Sequence, residues 1–166
     1  MRRLALAAAL LASGCAAPEA WLVMETTKGR MVARLDPKAA PKTVAHLRAL
    51  AAEPKPFYDG LVFHRVAPGF LIQTGDPGGD GKGDPKRPVA DEFGGKFDRP
   101  GLLGMASWGP GTSQTQFFVT LAPAPDLDGL HTRFGELVEG LDAAKAIAAV
   151  PRITRDGIDR PLDPRC

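Results

Sequence analysis

The sequence predicts a mainly β domain, a barrel or sandwich of at least seven short strands with two helices over its open ends. Three observations predict it. Glycine supplies 19 and proline 16 of the 166 residues, well above ordinary usage and the mark of many tight turns. Phenylalanine supplies eight of the eleven aromatic residues. Apolar residues seldom run at helical spacing for long, which disfavours a helical bundle. A chain of 166 residues makes one domain with a sizeable core and is too short for two ordinary ones.

The elements follow in order. Met1-Arg2-Arg3 precedes nine apolar residues, Leu4 to Ala12. That stretch is too short for a membrane core of about 30 Å and fits the middle of a secretory signal peptide. Ala12-Ser13-Gly14-Cys15 resembles the lipobox of bacterial lipoproteins, whose cysteine is acylated and becomes the mature N-terminus. Ala12 stands where that pattern prefers Leu, and the alternative is an ordinary cleaved signal with a chance cysteine. The expected organisation is a signal peptide over residues 1–14, a lipidated start and tether over 15–20, and one domain over 21–166. The location implied is extracytoplasmic, in the cell envelope or periplasm, held to a membrane through Cys15.

Within the domain, Trp21 to Thr26 and Arg30 to Leu35 read as two strands around a Thr27-Lys28-Gly29 turn. Met31, Ala33 and Leu35 alternate with Val32 and Arg34, the period of a half-buried strand. Pro41 to Glu53 reads as a helix with Val44, Leu47 and Ala51 on one face. Leu61 to Val66 and Phe70 to Thr74 are strand candidates split by Pro68-Gly69. Gly75 to Pro88 is a long Gly/Pro/Asp loop, a kind that is usually functional or mobile. Leu102 to Ser107, Gln116 to Leu121 and Thr132 to Val138 are further strands, and Leu141 to Val150 is a second helix. A charged, proline-containing tail runs from Pro151 to Cys166.

Charge and motifs exclude several functions. The formal net charge is +2, and without Arg2 and Arg3 the basic and acidic residues balance at 19 each. A neutral body gives no electrostatic reason to bind nucleic acid. Two cysteines, Cys15 and Cys166, exclude a disulfide framework. Gly81-Lys82 fails as a phosphate loop, because Asp76 stands where the first Gly is needed and Gly83 where Ser or Thr is needed. Asp76, Asp80 and Asp84 have no bidentate Glu at calcium-loop spacing and read as solvated turn carboxylates. Gly104-x-x-Ser107-x-Gly109 lacks the nucleophile-elbow spacing. His46, His64 and His131 have no zinc-ligand spacing, so no metal and no cofactor is expected.

A constellation remains. Phe63-His64-Arg65 and Phe70-Leu71-Ile72-Gln73 place an arginine in an apolar strand pair, and Gln114-Thr115-Gln116-Phe117-Phe118 places amides beside two phenylalanines. Arginine keeps its charge and is seldom set in an apolar run without a task or a partner. A salt-bridged barrel arginine is the alternative from that stretch alone. Arg and Gln are poor proton-transfer groups, so a site of these residues and Phe binds and polarises. It suits a reaction that needs no proton transfer.

FHRVAPGFLIQTGDP and GLLGMASWGPGTSQTQFFVTLAPAPDLDGLHTRFGELVEG strongly resemble the cyclophilins, the peptidyl-prolyl cis–trans isomerases. The resemblance runs from about Trp21 to about Ile147. It includes Pro41-Lys42-Thr43 and the Tyr58-Asp59-Gly60 turn. It implies an eight-stranded antiparallel barrel capped by two α-helices, and isomerase activity toward Xaa-Pro bonds of proline-containing polypeptides during folding. It implies a monomer and no cofactor. Arg65 matches the catalytic arginine, and Gln73 matches an amide that fixes it. Phe70, Leu71, Phe118, Leu127 and His131 match the proline pocket, although a core position is the alternative for His131. Gln116, Ala106 and Ser107 match groups that hold the substrate main chain.

Three departures stand out. Asp126 replaces a tryptophan that in many members helps bind the inhibitor cyclosporin, which implies weak inhibition here. Ser107-Trp108 replaces a common Asn-Ala pair and narrows the pocket for residues before the proline. Family members usually continue into a last barrel strand, which here reads as missing or very short.

Overall fold

A computed structural model describes residues 19–155 and 158–163; the expected signal peptide, Cys15 and Cys166 lie outside them. Seven strands form one antiparallel sheet: β1 (Ala20–Thr26), β2 (Gly29–Leu35), β3 (Arg65–Ala67), β4 (Leu71–Thr74), β5 (Leu102–Met105), β6 (Phe117–Thr120) and β7 (Arg133–Glu139). Their order across the sheet is β1-β2-β7-β5-β6-β4-β3. Two helices, α1 (Pro41–Ala51) and α2 (Leu141–Ala148), bury Val44, Leu47 and Leu50 and Ala144, Ile147 and Ala148, respectively. Among the described residues no helix is long and apolar enough to cross a membrane.

The central strands are buried on both faces, and successive residues therefore serve two different clusters. Ile72, Leu103, Met105, Phe117 and Val119 join Met31, Ala33, Phe134 and the helix residues in the large core. Their neighbours Leu71, Leu102 and Phe118 point to the other face and pack with Phe97 and Ala124, with Phe70, Ala106 and Leu127 at the margin. This second cluster is the floor on which the candidate site is built.

Helix α1 starts at Pro41, where a missing N–H costs nothing. Its N-terminal donors are satisfied from a distance: Glu92 accepts from the backbone N–H of Lys42 and Thr43 at 2.9 Å each, and from the Thr43 hydroxyl at 2.9 Å. A carboxylate there also complements the helix dipole. The helix ends at Ala51, two residues before the expected Glu53, because Ala52 N–H turns back onto Arg48 and Ala49 and Pro54 follows.

One further expectation changes, and the very short last strand is found. Residues 61–64 are not a strand; the Val62 carbonyl is taken by the Thr74 hydroxyl at 2.9 Å, outside any ladder. The tail does contain a last strand, and a short one. It folds as a hairpin of β8 (Arg152–Arg155) and β9 (Ile158–Pro161), each four residues long. The hairpin forms its own two-stranded sheet, so the main sheet has seven strands where eight were expected. All of β8 is exposed, so it has no apolar face to press into a barrel wall. β9 lies along β3 instead.

Gly140, between β7 and α2, has φ +88°, and a Cβ there would lie 2.3 Å from the Arg30 carbonyl oxygen. Both the backbone conformation and the space require glycine. Gly140→Ala is expected to cost about 2 kcal/mol or more. A thermal melt should show this as a drop of roughly 5 °C or more, and an unchanged midpoint would contradict it.

Candidate active site

The site grows from one row of cross-strand partners. Arg65 on β3 sits opposite Gln73 on β4. Gln73 sits opposite Phe118 on β6, and Phe118 sits opposite Gly104 on β5. Residues directly opposite in a sheet share a face and touch. The charged group, the amide and the aromatic ring are therefore aligned by register alone. Gly104 ends the row because a Cβ there would meet Phe118 Cζ at 2.3 Å. The ring needs that space to lie flat over the strand.

A cleft of about 250 Å³ opens over this row. Arg65, Leu71, Gln73, Ala106, Ser107, Gln116, Phe118, Leu127 and His131 all line it. Phe70 does not; its ring centroid lies 5.8 Å from Arg65 Cζ, within cation–π range. His64, Gly81, Trp108, Thr112, Gln114 and Ile158 complete the lining. Trp108 is 73 % exposed at the rim. No sequence signal pointed to Ile158, which arrives from the tail hairpin.

The polar groups form a directional chain. Arg65 Nη1 donates to Gln73 Oε1 at 3.4 Å. Gln73 Nε2 donates to Gln116 Oε1 at 2.8 Å. Gln116 Nε2 donates to the Gly81 carbonyl at 3.1 Å. Burial pushes the Arg65 guanidinium below its ordinary value, and the charge of Asp159 opposes that; arginine stays cationic regardless.

The apolar side is equally fixed. Phe118 meets His131 edge-on, with ring centroids 5.5 Å apart, and Phe97 in a tilted pair at 5.4 Å. His131 Nδ1 lies 3.0 Å from the Met105 carbonyl oxygen, which can only accept, so Nδ1 carries the proton. His131 is half-buried, at the wall of the cleft and not in the core. The arrangement offers an apolar cup beside donors that do not titrate near neutrality.

Asp76 departs from its expected solvated state. It is 2 % exposed and accepts from Gly78 N–H at 3.1 Å and Gly81 N–H at 2.6 Å. It thereby shapes the start of the glycine-rich loop. Asp80 and Asp84 make Asx turns with Lys82 and Lys86, as short polar side chains in loops do. Among the described residues no cluster of three metal-ligating side chains occurs.

Residues 21–164 match the family described as cyclophilin type peptidyl-prolyl cis-trans isomerase. The chain is 43 % identical over 156 residues to peptidyl-prolyl cis-trans isomerase A of Mycobacterium tuberculosis, covering 85 % of each chain. It is 42 % identical over 164 residues to peptidyl-prolyl cis-trans isomerase B of Streptomyces anulatus, covering 89 % of this chain and 93 % of that one. A cyclophilin type isomerase of Cryptosporidium parvum superposes with a TM-score of 0.77 at 32 % identity, over 88 % of this chain and 92 % of that one. The same protein in the presence of the dipeptide Ala-Pro superposes with a TM-score of 0.76 at 34 % identity, over 85 % and 90 %.

His64 is 3 % exposed; neither ring nitrogen makes a hydrogen bond of full geometry among the described residues, and the Gln116 amide is the side chain that interacts with the ring. Burial pushes its pKa below the ordinary 6.5, with Asp76 opposing and Arg160 reinforcing the shift. The folded state therefore holds His64 neutral where the unfolded chain protonates it. Its stabilising effect is complete above about pH 6.5 and is lost as pH falls below that. Urea unfolding at pH 7 and pH 5.5 should show wild type losing stability, at most about 1.4 kcal/mol per pH unit from this group. His64→Gln should show a shallower loss. Equal slopes for the two proteins would contradict the assignment.

Proposed function

The chain belongs to the cyclophilin type peptidyl-prolyl cis-trans isomerases, and from that membership we propose that Arg65 performs the isomerisation by stabilising the twisted imide of an Xaa-Pro bond. The uncatalysed barrier is about 18–20 kcal/mol and arises from lost amide conjugation. At the top of that barrier the proline nitrogen is pyramidal and accepts a hydrogen bond. Arg65 holds the prolyl carbonyl and donates to that nitrogen. Only interactions stronger in the twisted form than in the planar forms accelerate the step. A rate gain of about 10⁶ requires about 8 kcal/mol. Charge-assisted donation, exclusion of water and fixed orientation share it.

The observation that carries this reading is the Arg65 guanidinium lining one cleft with Phe118, Leu71 and Leu127. The proline ring is compact and apolar and fits that cup, with His131 and Phe70 at its sides. Gln73 restrains Arg65, and Gln116, Ala106 and Ser107 hold the peptide main chain. The Cryptosporidium parvum relative studied with Ala-Pro supports an Xaa-Pro substrate. Trp108 at the rim narrows the entrance for the residues that precede the proline.

Isomerisation of an Ala-Pro peptide, followed by NMR exchange, tests the assignment. Arg65→Ala is expected to lower kcat/KM by about 10²–10³-fold, the loss typical of a transition-state donor. Equal rates would make the domain a proline-binding module without this chemistry.

The proposed setting is protein folding outside the cytoplasm, by a monomer tethered through a lipid at Cys15, without nucleic acid or cofactor. The signal-like start and the Ala12-Ser13-Gly14-Cys15 sequence support it. One acyl chain binds a membrane only marginally, so stable anchoring needs several. Mass spectrometry of the mature N-terminus should find an acylated Cys15, and an unmodified or internal cysteine would remove the anchor.

A further inference from the structure

We infer that the tail hairpin is a positioning element for the isomerase site, in which Arg160 sets the orientation of the Gln116–Gln73 amide pair and, through it, the acceptor that faces Arg65. The inference rests on the isomerase reading above. Arg160 Nη1 donates to the Gly79 carbonyl at 2.9 Å, and Nη2 donates to the Asp80 carbonyl at 2.8 Å. A planar fork that grips two successive carbonyls fixes the turn more firmly than a single donor can. Ile158 of the same strand packs on that turn; its Cδ1 lies 3.8 Å from the position a Cβ of Gly81 would occupy. The next carbonyl along, that of Gly81, accepts the Gln116 amide at 3.1 Å.

An amide side chain donates only through nitrogen and accepts only through oxygen. With the Gly81 carbonyl in place, Gln116 must turn Nε2 to the loop and Oε1 to Gln73. Gln73 must then turn Nε2 to Gln116 and Oε1 to Arg65. Each of these bonds is present. If the turn moves, both amides can rotate half a turn, and an NH₂ group then faces the guanidinium. Arg65 loses its acceptor and its fixed aim. Asp76 pins the same turn from inside the protein through Gly81 N–H at 2.6 Å, while Arg160 pins it from the hairpin.

The test is a double-mutant cycle on the full chain with the Ala-Pro peptide. Arg160→Ala is expected to lower kcat by roughly 3–10-fold with KM little changed, and Arg160→Lys to restore part of the loss. In the Gln116→Ala background the same Arg160→Ala change should cost less than about 1.5-fold, because the relay is already cut. Equal fold losses in both backgrounds would overturn the inference. The side-chain amide resonances of Gln73 and Gln116 give a second readout. They should shift in Arg160→Gln, whose shorter amide keeps one donor group and some bulk, and unmoved resonances would also overturn it. Absence of isomerisation in the wild type would instead overturn the isomerase reading beneath it.

Discussion

A cation set among apolar side chains must be held without being neutralised, and the rest of the structure follows from how that is done. Arg65 is half-buried, and among the described residues its side-chain hydrogen bond goes to a neutral amide, Gln73, not to a carboxylate. A carboxylate in that place would hold the guanidinium tightly but would also spend its field and its donors. An amide fixes one Nη and leaves the other donors for a ligand. Asp159 opposes the effect of burial on Arg65 while its own oxygens engage Thr154 and Arg152. It lends charge without occupying the fork.

This arrangement depends on a sheet that is apolar on both faces. Each central strand offers one residue to the helix-covered core and the next to the cleft, so Phe117 and Phe118, or Leu71 and Ile72, do different jobs one position apart. A slip of one residue in β4 or β6 would exchange the two sets and bury Gln73 in the core. The same large core that stabilises the domain therefore fixes the register of Arg65, Gln73 and Phe118. Stability and site geometry share one constraint.

How much of this the sequence revealed depended on the range of the interaction. Strands with period-2 alternation, such as Met31 to Leu35, and helices with an apolar face, α1 with a proline start, were legible because their causes are local. The arginine and the amides stood out because polar groups in apolar strands are costly without a role. Contacts between distant segments left no local trace. Glu92 caps α1 from a loop some fifty residues away, and nothing in its neighbourhood announces it. Asp76 looked like any loop carboxylate, yet it is buried against backbone N–H groups. The tail read as charged, with a last strand missing or very short, yet Ile158 carries it to the cleft and Arg160 to the glycine-rich turn beside it. Residues 61–64 are apolar enough for a strand but lose that pairing to the Thr74 hydroxyl.

The polar chain also explains a division of labour among titratable groups. The polar chain that would face the substrate, Arg65, Gln73 and Gln116, does not change protonation near neutral pH. Two histidines outside that chain, His46 and His64, are held below their ordinary value, in both cases chiefly by burial. His46 meets the Gln114 carbonyl at 3.0 Å, and His64 lines the same cleft as Arg65 and also faces the loop that Asp76 shapes. A rotation about a single bond needs no proton transfer, and the fixed charge and neutral amides of the polar chain keep their donors as pH changes for as long as the loop and strands that orient them hold together.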